Sequence, residues 1–468
     1  MYTITKIKEH IASVVNHSVG GDIYRPQDIV LPPDPALGDF SVPCFKAAKE
    51  SGMPPADAAR KIINSICPDS VISGTSAAGP YINFTLDKPA FISSVLSQIS
   101  EMKESYGTYA IEKPRKVMIE FSNGNTHKEY HVGHLRNVAY GDSIARIIRA
   151  NGHESLPVSY INDFGIHVAK TLWCYEQFHK NDPLPENKGY FLGQLYAEAS
   201  KRLENDQVGK NLVGLTMKKI ESRQGYEYEL WQRTRQWSID QFQSIYDELG
   251  IRFQNIFYES ELIDKGKELV NELLKKDILR FSEGAVIADL EKFGLGVLVL
   301  LRSDGTALYP VADIPLAIEK FNKYSLDTSI VLTDVRQGFY FKQLFKLLDI
   351  LGYHGKEMIH LGYEFVKLPS GMMSSRTGNI ITYEELKESI MARIKKETKK
   401  RHPEWDYERI MANARKLTFG ALKFEMLKVG RDSIITFDIE QAMRFDGFTS
   451  VYLQYVTARI ESIVRKSG

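Results

Sequence analysis

Short apolar segments alternate with helix-like segments from residue 116 onward, and this alternation restricts the possible folds more than any other feature. The segment 116–122 (KVMIEFS) is short and apolar, and the stretch 134–152 has helical spacing and ends at a glycine. Further strand-like segments follow at 156–162, 296–302, 329–334 and 357–366. Strands that alternate with helices usually form a parallel sheet covered on both faces. We therefore predict an α/β fold with a mostly parallel sheet.

The regions around this alternation have other patterns. Residues 1 to about 110 combine an amphipathic helix with turn-rich and strand-like segments, which predicts a small α+β unit. Residues from about 168 to 285 are polar and helical, which indicates an insertion into the sheet domain. From about residue 384 the chain is helical and locally basic. The predicted regions are 1–110, 111–383 and 384–468.

Composition excludes several classes of protein. The 468 residues carry a formal net charge of +1, so any surface that binds nucleic acid must be local. The three cysteines, Cys44, Cys67 and Cys174, lack metal-ligand or CxxC spacing, which argues against a disulfide framework and a zinc site. No apolar stretch is long enough to span a bilayer. We expect a cytoplasmic protein without a membrane partner or a dedicated metal site.

Two histidines lie one helical turn apart where the segment 116–122 gives way to a helix. His131 and His134 would lie beyond the carboxyl end of a parallel strand, where such sheets bind ligands, and a helix N-terminus favours phosphate. Gly133 between them has no Cβ, so a nucleotide base could approach the backbone. The imidazoles could donate hydrogen bonds to a phosphoryl group. The two histidines could equally be surface or capping residues. A metal site is less favoured, because no third ligand has suitable spacing nearby.

A second candidate segment is the loop 367–379 (KLPSGMMSSRTGN), which is rich in glycine, hydroxyl groups and positive charge. Such a loop could close over a triphosphate and hold the departing pyrophosphate. The alternative is an ordinary solvated loop.

The two segments together resemble the HIGH and KMSKS signatures of class I aminoacyl-tRNA synthetases. The segment 119–137 (IEFSNGNTHKEYHVGHLRN) resembles the arginyl-tRNA synthetase form of the first signature. Other segments resemble that family's N-terminal additional domain, its two further substrate motifs and the entry to its anticodon-binding domain: 36–49, 79–86, 309–317, 334–345 and 444–466. The resemblance covers essentially the whole chain.

This resemblance implies a Rossmann-like catalytic domain with a small N-terminal domain and a C-terminal helical segment. It also implies a ligase that converts L-arginine and ATP into arginyl-adenylate and transfers the arginine to the 3′-terminal adenosine of tRNA(Arg). Mg²⁺ would be bound with ATP, and we expect a monomer. A truncated paralogue with only adenylating or tRNA-binding activity is the alternative.

The resemblance also implies roles for individual residues. The predicted catalytic residues are His131, His134, Lys128 and Arg376. ATP would also contact Gly133, Met373, Ser374 and Ser375. The arginine substrate would be held by Glu120, Asn125, Tyr309, Asp313 and Gln337, because a planar guanidinium with five donors needs several acceptors.

Some of these residues have other interpretations. Asp313 could cap a helix before Pro315, and Tyr309 and Gln337 could be packing residues. Tyr81 and Asn83 match the strand that contacts tRNA in the family, although Tyr81 could also belong to a core.

The chain departs from the family pattern in several places. Met372 stands where a lysine is frequent, which shifts the expected charge to Lys128 and Arg376. Gly124 replaces a proline, and Val311-Ala312 replaces Thr-Arg. The chain also ends one helix into the anticodon-binding bundle. We therefore expect that the rest of the bundle is missing, is supplied by another chain or is dispensable.

Overall fold

The computed structural model describes residues 1–367, 381–438 and 447–467, and the chain divides into two units, Met1–Thr108 and Tyr109–Gly468. The loop residues predicted to contact ATP, namely Met373, Ser374, Ser375 and Arg376, lie outside the described residues.

The first unit is built on a three-stranded antiparallel sheet with the order β1-β3-β2. Its strands are β1 Phe40–Pro43, β2 Ile72–Ala78 and β3 Tyr81–Leu86. Its helices are α1 Thr3–Val19, α2 Phe45–Ser51, α3 Pro55–Ile63 and α4 Lys88–Met102. Apolar side chains from one face of α1, including Ile11 and Val15, share a buried core with Ile82 and Phe84 of the central strand. This arrangement is the α+β unit that the sequence predicts.

The second unit contains a five-stranded parallel sheet with the order β11-β10-β4-β5-β6. The strands are β4 Lys116–Glu120, β5 Glu154–Ile161, β6 Asn255–Tyr258, β10 Thr328–Asp334 and β11 Glu357–Tyr363. Helices α5 Val132–Ala150, α11 Pro310–Tyr324 and α12 Gly338–Leu348 connect or cover them. The three central strands, β10, β4 and β5, are mostly buried, as expected for a parallel sheet. The predicted α/β class is confirmed.

Two predicted assignments differ from the structure. The segment 296–302 forms β9 Val297–Leu301, which lies in a separate antiparallel sheet with β7 Arg280–Ser282 and β8 Ala285–Asp289. The range predicted to be a helical insertion includes β6, which is the edge strand of the parallel sheet. An apolar run does not reveal the direction or partner of a strand, because pairing is a long-range property.

The helical part of the insertion has its own core. Its helices are α6 Ile166–Cys174, α7 Lys188–Arg202, α8 Gln207–Glu221, α9 Tyr226–Glu248 and α10 Ile263–Lys275. A π-helical turn, Tyr175–His179, continues directly from α6. Buried residues such as Leu172, Leu192 and Trp231 join α6, α7 and α9.

The remaining described helices are α13 Tyr383–Arg401, α14 Tyr407–Leu427 and α15 Ser450–Ser467. The short strands β12 Val366–Lys367 and β13 Ile435–Thr436 pair in parallel. Tyr383 and Ile390 of α13 share a core with Leu135 of α5, so α13 packs on the sheet domain although a region boundary is predicted beside it. Within the described residues, no helix is both long and apolar enough to cross a membrane.

Close packing of α5 on β4 positions the predicted signature turn. A Cβ on Gly141 of α5 would lie 2.1 Å from Cγ of Phe121, which follows β4. Only glycine permits this approach. The N-terminus of α5 is thereby held beside the carboxyl end of β4.

Candidate active site

A cavity of about 540 Å³ opens near the carboxyl ends of β4, β5 and β10. Parallel sheets bind ligands at this edge. All five residues predicted to hold arginine line the cavity: Glu120, Asn125, Tyr309, Asp313 and Gln337.

Asp313 lies in the first turn of α11 and faces α12. Its carboxylate accepts a hydrogen bond from the Tyr340 hydroxyl at 2.5 Å. Burial raises the pKa of Asp313 to about 7, and the Tyr340 hydrogen bond acts in the opposite direction. The alternative that Asp313 caps a helix is wrong, because α11 begins at Pro310 and continues through Pro315.

Glu120, at the end of β4, is already paired. Its carboxylate forms a buried ion pair with Lys320 of α11 and accepts a hydrogen bond from Asn123 Nδ2 at 3.2 Å. A charge buried in this way requires a partner. Lys320 could not be predicted from the sequence, because no local pattern links residues 200 positions apart.

Glu259 is an acidic residue of the site that was not predicted from the sequence. It begins the turn after β6 and accepts a hydrogen bond from Asn162 Nδ2 at 3.1 Å. Burial raises the pKa of Glu259 to about 8, and the charge of Asp313 adds to this effect. The charge of one acid therefore hinders the ionisation of the other, which requires that Asp313 and Glu259 lie near each other. The available signal was a Glu directly after a strand, but that strand was assigned to the helical insertion.

The neighbouring buried acid Asp163 holds the turn that contains Glu259. The Asp163 carboxylate accepts hydrogen bonds from Ser260 N at 2.8 Å and from Ser260 Oγ at 2.7 Å. It also forms an ion pair with Arg235 of α9.

Tyr309 and Gln337 lie at the open side of the cavity. Tyr309 is 69% exposed, and Gln337 is also exposed. The alternative that they are packing residues is therefore wrong.

His131 and His134 form the start of α5. His131 is the N-cap residue, and its Nδ1 accepts a hydrogen bond from Gly133 N at 3.1 Å. His134 Nδ1 accepts one from His131 N at 3.2 Å, and the two rings stack with centroids 3.9 Å apart. The capping alternative is thus realised, and each ring retains an Nε2 that is not used in this capping.

The pKa values of both histidines are lowered. Burial lowers the pKa of His131 to about 4, with a further contribution from the charge of Lys128. Burial also lowers the pKa of His134 well below its ordinary value, and His131 and Lys128 add to this. Both rings are therefore neutral near pH 7, so each can donate one hydrogen bond without carrying charge. Lys128 supplies the positive charge beside them, with its Nζ 5.1 Å from the centroid of the Tyr196 ring.

Gly133 lies against the ring of His131. A Cβ at this position would lie 2.9 Å from Cε1 of His131. The glycine therefore makes room for the ring of His131, whereas the sequence suggested that it makes room for a nucleotide base.

The residues on both sides of the undescribed segment 368–380 lie beside the start of α5. Val132 N donates to Ile381 O at 3.2 Å, and Tyr383 N donates to Tyr130 O at 2.7 Å. On the other side, Arg136 of α5 donates to the carbonyl of Phe365 at 3.3 Å.

Comparisons with known proteins agree with this geometry. The family model described as tRNA synthetases class I (R), catalytic domain, matches residues 94–439, and the model of the arginyl tRNA synthetase N terminal domain matches residues 5–86. An arginine–tRNA ligase of Bdellovibrio bacteriovorus is 36% identical over 95% of this chain and 77% of its own length.

The chain belongs to the arginyl-tRNA synthetase family.

Other members of the arginyl-tRNA synthetase family are also similar to this chain in sequence and in structure. An arginine–tRNA ligase of Clostridium acetobutylicum is 30% identical over 98% of this chain and 82% of its own length. The structure of Thermus thermophilus arginyl-tRNA synthetase superimposes with a TM-score of 0.73 at 24% identity, covering 98% of this chain and 82% of that one. The predicted fold and family are confirmed.

The residues predicted to contact tRNA differ in exposure. Tyr81 is 39% exposed, and its ring packs edge-on against Phe45 with centroids 6.1 Å apart. The alternative that Tyr81 is a core residue is therefore wrong. Asn83 is only 2% exposed, and its Nδ2 has no hydrogen-bond partner among the described residues.

Two departures from the arginyl-tRNA synthetase pattern have structural explanations. Val311 and Ala312, which replace Thr-Arg, are buried in the cores beneath α11. A Cβ on Gly124 would lie 3.1 Å from the Phe242 ring, so α9 packs closely against this loop.

Proposed function

We propose that this chain activates L-arginine with ATP and transfers the arginyl group to the 3′-terminal adenosine of tRNA(Arg). The observation that carries the proposal is that Asp313 lines the cavity, while Glu259 accepts a hydrogen bond from Asn162, which also lines it. Burial raises the pKa of both acids. This supports recognition of a cationic substrate, since a bound cation would allow both acids to ionise.

The guanidinium of arginine would lie between Asp313 and Glu259. Its planar fork of five donors suits two carboxylates, and the Tyr309 hydroxyl would be a further acceptor. Because Lys320 already neutralises Glu120, the role of Glu120 would be to hold the cavity wall. Asn125 and Gln337 would bind the α-amino end of the substrate.

The substrate carboxylate would then attack the α-phosphate of ATP, and pyrophosphate would leave. The neutral imidazoles of His131 and His134 would donate hydrogen bonds to the phosphoryl oxygens, and Lys128 would offset the developing negative charge. Gly133, Met373, Ser374, Ser375 and Arg376 would complete the ATP site. Mg²⁺ would enter bound to the ATP phosphates. No covalent enzyme intermediate is needed, because positioning and charge stabilisation supply the catalysis.

The test is exchange of labelled pyrophosphate into ATP in the presence of arginine, with and without tRNA(Arg), followed by a charging assay. Citrulline is the matched control substrate, since it has nearly the same shape but carries no side-chain charge. We expect arginine-dependent exchange and charging, and no reaction with citrulline. Exchange without charging would indicate a paralogue that only adenylates. Binding of tRNA without arginine-dependent use of ATP would indicate a binding protein and refute the proposal.

Tyr81 is proposed to stack on an unpaired base of tRNA, because it is exposed and flat aromatic rings bind bases in this way. Asn83 would need a change in its surroundings to reach a base edge. We further propose that the chain acts as a monomer in the cytoplasm.

A further inference from the structure

The helical insertion contains a cluster of possible metal ligands that does not line the cavity. The ligand atoms of Cys174, His179 and Glu198 all lie within 4.8 Å of one another. A thiolate, an imidazole and a carboxylate are the three ligand types that Zn²⁺ binds in proteins. Spacing in the sequence did not reveal this group, because Glu198 belongs to the next helix.

The π-helical turn brings two of these ligands together. Cys174 ends α6, and His179 is the last residue of the turn Tyr175–His179. In a regular α-helix, residues five positions apart point roughly 140° away from each other. A π-helical turn has i→i+5 hydrogen bonds, so residues five apart face nearly the same side, and such turns are frequent at functional sites.

His179 lies between two carboxylates. Its Nδ1 is 2.8 Å from Asp182 Oδ2, and its Nε2 is 3.0 Å from Glu198 Oε2. A neutral imidazole has only one N–H, so one of these contacts would bring two acceptors together. A cation between Nε2 and Oε2 removes that conflict. The Asp182 contact is then the carboxylate–histidine pair that commonly orients a metal-binding histidine.

The charges of Cys174 and Glu198 would also match that of a divalent cation. Arg202 Nε donates to Oε1 of Glu198 at 2.7 Å, which leaves Oε2 for a metal ion. Burial raises the pKa of the Cys174 thiol to about 12, so without a metal the sulfur keeps its proton. On metal binding the S–H bond would break, a sulfur–metal bond would form and the proton would pass to solvent. The thiolate and the Glu198 carboxylate together would then neutralise a divalent cation.

We propose that Cys174 Sγ, His179 Nε2 and Glu198 Oε2 bind one Zn²⁺, with water as the fourth ligand and Asp182 orienting His179. The ion would fix the end of α6 to α7 inside the insertion. This role is separate from the adenylation chemistry.

The test uses the full chain after removal of metals, titrated with Zn²⁺ against a coloured chelator and with Co²⁺ by absorption spectroscopy. We expect one Zn²⁺ per chain and a sulfur-to-cobalt charge-transfer band in the near ultraviolet. Cys174→Ser should abolish that band. Asp182→Asn should weaken Zn²⁺ binding by roughly 10–100-fold, the usual effect of losing such a partner. Cys67→Ser is the matched control, because Cys67 is exposed and lies in the N-terminal unit.

Three results would overturn the site. The first is the lack of stoichiometric Zn²⁺ binding in the unmodified chain. The second is a Co²⁺ band that survives Cys174→Ser. The third is an NMR result. If nitrogen NMR showed protons on both ring nitrogens of His179 at neutral pH with Zn²⁺ present, an imidazolium between two carboxylates would replace the metal as the explanation.

Discussion

His131 and Thr382 are joined by an antiparallel β-bridge. Thr382 is also the N-cap of α13, where its hydroxyl and Glu385 form a capping box. The bridge therefore ties the first signature to the described chain that follows residue 380. This supports the proposal that the hydroxyl-rich loop and the two histidines act on the same phosphates.

Asp313→Asn should remove arginine recognition and leave ATP binding unchanged. The substitution keeps the size of the side chain but removes the charge that would face the guanidinium. The loss of one partner in a buried charged contact costs about 2–4 kcal/mol, or roughly 30- to 1,000-fold in affinity. Calorimetric titration with arginine and with ATP measures both effects. The matched control is Glu319→Gln on the same helix, where Glu319 pairs with Lys265. Unchanged arginine affinity in Asp313→Asn would refute the assigned pocket.

Arginine should bind more tightly as pH rises from about 6 to about 8. Both acids must be ionised to hold the guanidinium, and their pKa values without substrate are about 7 for Asp313 and about 8 for Glu259. The logarithm of affinity should rise with a slope near 2 below pH 7 and near 1 between 7 and 8, and then level off. Calorimetry in buffers of different ionisation enthalpy measures the released protons. A flat profile would show that these acids are not the ligands.

The same two pKa values predict how the stability of the substrate-free chain changes with pH. An acid whose pKa is raised by folding is more easily ionised in the unfolded chain. The free energy of unfolding should therefore fall as pH rises from the unfolded value near 4 to about 7 and 8. Saturating arginine should reduce this fall. Urea unfolding at several pH values, with and without arginine, measures both effects, and a fall unaffected by arginine would contradict the assignment.

Lys128→Ala should slow formation of the adenylate by about 2–4 kcal/mol in the activation barrier. Its charge lies beside both histidines, where negative charge would develop on the phosphates. Single-turnover measurement of arginyl-adenylate tests this. Lys180→Ala is the control, since Lys180 pairs with Glu176 on the surface of the insertion. A near-normal rate would mean that the loop containing Arg376 is sufficient.

Asp163→Asn should raise the KM for arginine more than it lowers kcat. Asp163 touches Ser260 rather than the cavity and acts by holding the turn that contains Glu259. A general loss of folding would instead lower the active fraction and leave the KM unchanged. Asp264→Asn, which alters an exposed ion pair with Arg223, is the control. Equal KM values for the Asp163 variant and the unmodified chain would contradict this positioning role.

Gly141→Ala should destabilise the chain by at least about 1–3 kcal/mol, because the new Cβ would overlap Phe121. Gly214→Ala is the matched comparison, since Gly214 lies in α8 and a Cβ there meets nothing within 4 Å. The free energy of unfolding of Gly214→Ala should be higher by roughly 0.5–1 kcal/mol, because alanine has the higher helix propensity. Urea unfolding measures both. Equal stability of the two variants would show that α5 does not need this close approach.

Much of the sheet domain could be predicted from the sequence because its periodicities are local. The helix predicted at 134–152 is Val132–Ala150, and the strand predicted at 156–162 is Glu154–Ile161. The antiparallel pairing of β9 and the addition of β6 to the main sheet could not be predicted, because many partners suit a short apolar run.

The site was predicted only in part, because some of its residues come together only in the folded chain. Asp313 and Tyr309 could be named because they lie in a recognisable segment of the chain. Lys320 has no such pattern, and only folding brings it to the same cavity wall as Asp313 and Glu120. Glu259 follows a strand that was assigned to the helical insertion, and only folding brings it close enough for the charge of Asp313 to raise its pKa.

The sequence alone was enough to indicate the family, the signature turn and most of the strands and helices, since each depends on residues close together along the chain. The ionisation of the site depends on the folded structure. Glu120 is neutralised by Lys320, the pKa values of Asp313 and Glu259 are raised, and those of the histidines are lowered. The physical reason is that desolvation and charge pairing depend on which distant residues exclude water from a group, and only the tertiary fold sets that arrangement.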